Sequence, residues 1–235
     1  MSGAFELVDT YNTNVVIKVI SVSENGDDAV RNIEKQIDGV DFVYFDAIEN
    51  IREILNDTDM VFLIGATNDS NINETAEITS ELDILTIAVV TKLHSFDTSK
   101  NITQLLCNEL GNSITGITSL LLNPGMINVD LEDIRIIMLG KSNAISSSSS
   151  ATGENRAMEA VQQAISSPIF ADIDLKTASG VLVSISASNM GIMEFSEIGD
   201  IVTENLSENC TVKIGMSINP DLGDVMEVSV VAAFG

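Results

Sequence analysis

The chain has 235 residues, enough to bury the core of one large domain or of two small domains packed together. It contains 11 Lys and Arg against 35 Asp and Glu, a formal net charge of −24 at pH 7. This charge disfavours sequence-independent nucleic-acid binding, which needs cationic side chains to replace the counterions of phosphates, and it equally disfavours direct binding to an anionic membrane. With 45% hydrophobic residues and a mean hydropathy of +0.26, the chain is expected to fold.

Targeting signals and cysteine usage predict a cytoplasmic protein. Residues 1–14 lack a basic start followed by an apolar core, so no signal peptide is predicted, and the longest apolar runs have the length of strands. Cys107 and Cys210 lie far apart in apolar surroundings, which favours two buried free thiols over a disulfide.

Short apolar runs alternate with amphipathic segments over the first ninety residues. Ala29, Ile33 and Ile37 fall on one face of a helix that Gly39 ends. The other expected elements are strands at 15–20, 40–45, 60–65 and 84–90 and helices at 47–56 and 71–82. Strand and helix alternating with short links predict right-handed crossovers, and therefore an α/β fold with a doubly wound, mostly parallel sheet.

A central helix and a second, smaller α+β unit are predicted for the rest of the chain. Apolar residues recur at helical spacing from 98 to 122, which predicts one long amphipathic helix ended by Asn123-Pro124-Gly125. The five-serine run Ser146–Ser150 is typical of a flexible solvent loop. The further expected elements are strands at 134–139, 179–187, 210–219 and 225–234 and helices at 153–166 and 194–206.

The stretch 123–133, Asn-Pro-Gly-Met-Ile-Asn-Val-Asp-Leu-Glu-Asp, places three polar residues in a short acidic loop. Several motifs follow it in a fixed order: Thr152–Ala157, Ala164–Pro168, Asp172–Leu175, Gly180–Val183 and Asn219–Leu222. Together with Ile84–Lys92, this series resembles the family of FtsZ, the tubulin-like cell-division GTPase of bacteria. The resemblance implies a reduced nucleotide domain at 1–97, a central helix with the acidic loop at 98–133 and an FtsZ-like C-terminal domain at 134–235.

The family resemblance assigns the acidic loop a role in a neighbouring subunit. In FtsZ this loop reaches the GTP held by the next subunit of a head-to-tail filament, and its carboxylates orient the water that attacks the terminal phosphate. Asn128, Asp130 and Asp133 are therefore implied as catalytic residues acting in trans. The implied partners are FtsZ or FtsZ-like subunits, which would bring the chain to the division site.

The phosphate-binding glycine loops of the family are missing. The first βα turn, Ser21–Asp28, keeps only Gly26 and places carboxylates at Glu24, Asp27 and Asp28, which would repel a nucleotide. Two like unit charges about 4 Å apart repel by about 4 kcal/mol at an effective dielectric constant of about 20. The preferred explanation of Asp27 and Asp28 needs no ligand, since both are favourable residues for the start of a helix.

The second glycine loop is replaced by Thr67–Asn73, and a stretch between Lys92 and the central helix, including one strand of the family, is expected to be absent. Gly26 and Glu109 are the remaining nucleotide-binding candidates. Glu109 follows Asn108 where the family contacts guanine through an Asn-Asp pair. A solvated helix glutamate is the preferred account of Glu109. No cofactor is predicted from the residues, whereas the resemblance implies GTP.

No metal site is predicted, because one histidine, His94, and two distant cysteines give no zinc-ligand spacing. His94 itself is typical of a surface turn. Weak binding of Mg²⁺ or Ca²⁺ by Asp130 and Asp133 would be incidental.

Three functions remain open on sequence alone. The leading hypothesis is a regulator that caps or co-assembles with FtsZ filaments through its acidic loop, with a degenerate GTP site and little hydrolysis of its own. The alternative is a divergent, polymerising FtsZ-type GTPase of septum assembly with a rebuilt phosphate loop. A decayed gene product is the third, and the retained hydrophobic patterning of the strands argues against it.

Overall fold

The computed structural model describes residues 15–44, 50–65, 70–90, 102–123 and 125–235. Its strands are β1 Ile17–Ser21, β2 Asp41–Val43, β3 Met60–Ile64, β4 Leu85–Val90, β5 Ile102–Cys107, β6 Asn143–Ala151, β7 Gly180–Ala187, β8 Thr211–Ile218 and β9 Met226–Phe234. Its α-helices are α1 Glu24–Ile33, α2 Ile51–Ile54, α3 Ser70–Glu81, α4 Leu110–Leu122, α5 Leu131–Met138, α6 Arg156–Ile165 and α7 Ile192–Glu204.

The strands of the described residues form one sheet in the order β2-β1-β3-β4-β5-β6-β9-β7-β8. Strand β9 runs antiparallel to both of its neighbours, β6 and β7, and the other strand pairs are parallel. The predicted α/β class with a mostly parallel sheet is therefore confirmed. The parallel pairing of β5 with β6 carries the sheet without interruption from the first half of the chain into the second.

Helices cover both faces of the sheet, which explains why β3 is a continuous apolar run and why β4 is apolar except for Thr86. On one face, Val19, Phe62 and Ile87 pack against α1, α4 and α5. On the other face, Val61 and Leu63 pack against α2 and α3. Helices α6 and α7 complete a separate cluster with the strands of the second half.

The predicted helix over 98–122 is wrong in its first part, because Ile102–Cys107 form strand β5 and the helix begins at Leu110. A strand therefore lies between Lys92 and the central helix, where the sequence predicts a deletion. Strand β5 lies between β4 and β6 and is buried from Ile102 to Leu105. A strand buried on both faces shows no alternation, so its apolar residues continued the helical spacing of α4 by coincidence.

Two further predictions in the second half are wrong. Residues 134–138 belong to helix α5, in which Ile134, Ile137 and Met138 form the buried face, and Leu139 is its C-cap. The serine run lies in β6, which is hydrogen-bonded along its length to β9. Serines are tolerated there because hydroxyls pair across strands, as Ser148 does with Ser229 at 2.7 Å. The predicted strands corresponding to β7, β8 and β9 and the helices corresponding to α6 and α7 are present.

Several predicted features fall on residues that the structure leaves undescribed. They are His94, the replaced phosphate loop at residues 67–69 and the first part of the helix predicted at 47–56. Among the described helices, none is long and apolar enough to cross a membrane.

Candidate functional site

The acidic loop contacts β8, an edge strand of the sheet, through one antiparallel bridge between Ile127 and Met216. The backbone N–H of Met216 donates a hydrogen bond of 2.8 Å to the carbonyl of Ile127. A Cβ on Gly125 would lie 1.7 Å from the carbonyl oxygen of Met216, so only glycine fits at that position. The loop is thus anchored to the second half of the sheet.

Buried and exposed side chains alternate along the acidic loop. Val129 is 4% exposed and belongs to the core. Met126, Asn128 and Asp130 are exposed and occupy alternate positions, as expected for extended backbone. Two of the predicted catalytic residues, Asn128 and Asp130, therefore lie on one outward-facing row.

Asp130 and Asp133 form the capping box of α5. The carboxylate of Asp130 accepts from the backbone N–H of Asp133 at 2.8 Å, and the carboxylate of Asp133 accepts from the backbone N–H of Asp130 at 3.3 Å. Asp133 therefore lies in the first turn of a helix, which corrects its predicted place in the loop. The sequence does contain a signal for this helix start. A capping residue, Asp130, stands three positions before a second carboxylate, Asp133, and an apolar run follows.

Lys213 of β8 forms an ion pair with Asp133. The hydrogen bond from Lys213 lowers the pKa of the Asp133 carboxyl, against the opposing effect of partial burial. The same hydrogen bond raises the pKa of Lys213. The sequence analysis missed this lysine, since no local spacing connects β8 to the start of α5.

Gly26 lies in the first turn of α1, where it serves packing. A Cβ there would lie 2.5 Å from the carbonyl oxygen of Ile64 and 2.7 Å from the hydroxyl of Ser21. The backbone N–H of Gly26 donates to the carbonyl of Ser23 at 2.8 Å, and that of Asp27 donates to the same oxygen at 3.2 Å. These two N–H groups are therefore engaged within the chain and do not form an open cradle.

The rest of the first βα turn is also closely packed. Val22 is 0% exposed, and its carbonyl accepts a hydrogen bond of 3.1 Å from the side chain of Asn71 at the start of α3. A Cβ on Gly65 would lie 2.5 Å from Val22. An apolar side chain and a helix-to-turn hydrogen bond thus hold this edge of the sheet together.

Glu109 is the N-cap residue of α4, and its carboxylate accepts from the side chain of Asn112. The neighbouring Asn108 donates to the hydroxyl of Ser167 at 3.3 Å. Helix α4 spans 13 residues, roughly 20 Å at the usual rise per residue. Its length separates Glu109 from the acidic loop, so the structure does not bring these two predicted sites together in one chain.

Among the described residues, no group of three or more His, Cys, Asp and Glu side chains is arranged to hold a metal ion. Cys107 and Cys210 are free and only partly buried, where the sequence predicts buried thiols. Burial raises the pKa of both thiols.

Solved structures define the class of fold. The empty FtsZ dimer of M. jannaschii superposes with a TM-score of 0.78 at 21% identity, covering 93% of this chain and 88% of the other. CetZ from Methanosaeta thermophila superposes with a TM-score of 0.65 at 12% identity, covering 92% of this chain and 86% of the other. The fold is accordingly the one that FtsZ and CetZ share.

Sequence comparison narrows the class to one family. A family model described as "FtsZ family, C-terminal domain" matches residues 143–234. The cell division protein FtsZ of Coxiella burnetii is 33% identical, with 97% of this chain and 81% of the relative covered. The FtsZ of Buchnera aphidicola subsp. Schizaphis graminum is 31% identical, with 97% and 81% covered. The chain belongs to the FtsZ family.

The match to the Coxiella relative extends over 311 positions, more than the 235 residues of this chain. The relative therefore contains internal segments that have no counterpart here. This difference agrees with an internally shortened chain.

Proposed function

We propose that this chain is an FtsZ-like cell-division protein that caps or co-assembles with FtsZ filaments through its acidic loop, while its own GTP site is degenerate. The relatives in sequence are named as cell division proteins, and one neighbour in structure is described as an FtsZ dimer. In this role the chain acts in the cytoplasm at the site of division.

A difference between two edges of the molecule carries the proposal. On one edge the loop 125–130 is anchored to β8 and presents Asn128 and Asp130 to solvent. On the other, the described part of the first βα turn is filled by Val22, and the first turn of α1 carries Glu24 and Asp27. An anionic phosphate would meet like charges at that helix start.

A head-to-tail filament contact is heterologous, so each subunit needs two different surfaces to extend it in both directions. A subunit with only the acidic-loop surface intact adds to one end of a filament and blocks further growth there. Capping is the outcome that this difference between the edges favours.

The loop residues divide into two roles in this proposal. Asn128 and Asp130 face outward and would contact the partner's nucleotide site. Asp133 is engaged by Lys213 and by the backbone of Asp130, so it would act as a positioning residue that holds the N-cap in place.

The test mixes sub-stoichiometric amounts of this protein with Coxiella burnetii FtsZ and GTP, and follows light scattering and phosphate release. We expect the wild-type protein to lower the scattering. Asp130→Asn should change the partner's GTP turnover relative to wild type, because asparagine keeps the helix cap and removes the charge.

Glu132→Gln is the matched control, since it removes an exposed carboxylate from the same helix turn. It should behave as wild type. The proposal fails if the wild-type protein changes neither signal. An effect of Glu132→Gln equal to that of Asp130→Asn would remove Asp130 from the contact.

The second candidate is a divergent, polymerising GTPase, which the 33% identity to an FtsZ over 97% of this chain favours. It requires GTP binding by the isolated chain. Phosphate release by the protein alone, abolished in Asp130→Asn, would support this candidate and overturn the first.

A further inference from the structure

A polar cleft lies between α4 and the strands β6, β7 and β9, away from the acidic loop. Its volume is about 220 Å³, and six serines contribute to its lining. Glu109 and Glu227 contribute carboxylates. The cleft is smaller than sites for drug-sized ligands, which usually have about 300–1,000 Å³, so it suits a small molecule.

A recess of about 70 Å³ adjoins the cleft, because Glu109 and Ser148 line both cavities. Ser146 lies in the wall of this recess and is 0% exposed. Its hydroxyl oxygen is one of two buried side-chain oxygens without a hydrogen-bond partner among the described residues. Buried polar atoms are normally satisfied, so this hydroxyl needs a partner inside the recess, which a water molecule or a polar group of a ligand would supply.

Charge selects the class of ligand. The lining of the two cavities, as far as the structure describes it, contains carboxylates and hydroxyls and no Lys, Arg or His. The net charge of −24 adds a negative field that repels anions and attracts cations. Partial burial raises the pKa of Glu227, as expected for a carboxylate without a neighbouring cation.

We infer that this cleft binds a small polyamine, with ammonium groups at Glu109 and Glu227 and with N–H donors directed to the serine hydroxyls. Each ammonium carries several donors and no acceptor, which complements a lining rich in oxygen acceptors. Phosphates and nucleotides are excluded from it by charge. The inference concerns the cleft alone and stands whether or not the chain caps filaments.

The test is a calorimetric titration of the purified chain with spermidine at about 0.15 M salt, where exposed charges are screened beyond about 8 Å. We expect saturable binding of one molecule per chain. Glu227→Gln should weaken the affinity at least fivefold. Ser146→Ala should also weaken it, because the hydroxyl inside the recess loses its contact with the ligand.

Glu204→Gln on α7 is the matched control, since it removes an exposed carboxylate outside the cleft. It should change the affinity less than twofold. Equal weakening by Glu204→Gln, or binding that does not saturate, would show diffuse charge attraction and overturn the inference. Equally tight binding of the neutral polyol sorbitol would contradict the assignment of the ligand as a polyamine.

Circular dichroism of each variant establishes that the fold is retained. If Glu227→Gln fails to fold, Ser146→Ala decides the question. An unchanged affinity for spermidine in a folded Ser146→Ala variant would then overturn the inference.

Discussion

Asp130 has two distinguishable contributions, since it caps α5 and also presents a charge to solvent. Removing a capping carboxylate usually costs about 1 kcal/mol, whereas asparagine caps a helix about as well as aspartate does. We therefore expect Asp130→Ala to lower the free energy of unfolding by about 1 kcal/mol and Asp130→Asn to leave it nearly unchanged. Urea unfolding measures both values.

A cost below about 0.3 kcal/mol for Asp130→Ala would contradict the capping role. This distinction matters for function, because an alanine variant could lose activity merely by loosening the start of α5. The asparagine variant removes the charge and retains the cap, so it isolates the chemistry of the carboxylate.

The ion pair of Asp133 and Lys213 predicts a pH dependence. The folded pKa of Asp133 is lowered, so its contribution to stability is complete above the unfolded value of about 3.9 and is lost as the pH falls through the folded value. The folded pKa of Lys213 is raised, so its contribution is complete below about 10.4 and is lost as the pH rises further.

Lys213→Met removes the ion pair. It should lower the urea midpoint relative to wild type, and this difference should stay constant between about pH 5 and pH 9. Below about pH 4 the wild-type and Lys213→Met curves should converge. Lys176→Met, at an exposed lysine of another segment, serves as the control. Curves for Lys213→Met that run parallel to wild type down to pH 2 would exclude the pair as a source of stability.

At the scale of helices and strands, prediction from sequence was most reliable where apolar strands alternate regularly with amphipathic helices. Strands β1, β3 and β4 are runs of apolar residues bounded by turns, and their position in the sheet follows from their alternation with helices. Strand β5 was mistaken for helix because both of its faces are buried, so its residues carry no period of two.

The serine strand β6 was missed for another reason. Serine favours turns when its neighbours are unknown. In β6 the adjacent strands β5 and β9 pair with the backbone, and hydroxyls find partners in β9 and in α6, where Ser149 donates to the carbonyl of Ala160. The same limit applies to the candidate site. Asn128 and Asp130 were recognisable from the motif, whereas the ion pair of Lys213 and the recess lined by Ser146 depend on tertiary contacts.

Two glycines in helices are expected to respond oppositely to alanine substitution, because the space around them differs. Gly26→Ala places a Cβ 2.5 Å from the carbonyl oxygen of Ile64, so it should destabilise the fold by about 1–3 kcal/mol. Gly199→Ala in α7 meets only Ile214, at 3.8 Å, and should stabilise the fold by up to about 1 kcal/mol through helix propensity.

Thermal unfolding of both variants compares the two positions directly. If Gly26→Ala were as stable as wild type, α1 would have room to move away from β3. The glycine would then be available for close approach of a ligand, as in the phosphate loops of the family.

At the scale of the whole molecule, one continuous sheet joins β8, the edge strand beside the acidic loop, to β1, the strand that leads into the altered first turn. Strand β5 pairs with β4 of the first half and with β6 of the second half. The acidic loop and the first turn are thus held by one framework. In the function proposed above, only the surface with the acidic loop serves as a filament contact.

This difference between the edges predicts that the isolated chain does not form long filaments with GTP. A growing filament needs both surfaces on every subunit, and the net charge of −24 adds repulsion between copies. In sedimentation at about 0.15 M salt, the protein should remain in the supernatant with GTP, while Coxiella burnetii FtsZ under the same conditions serves as the polymerising control. Electron microscopy of extended filaments that contain only this protein and depend on GTP would instead show that both surfaces are functional, and would favour the polymerising GTPase.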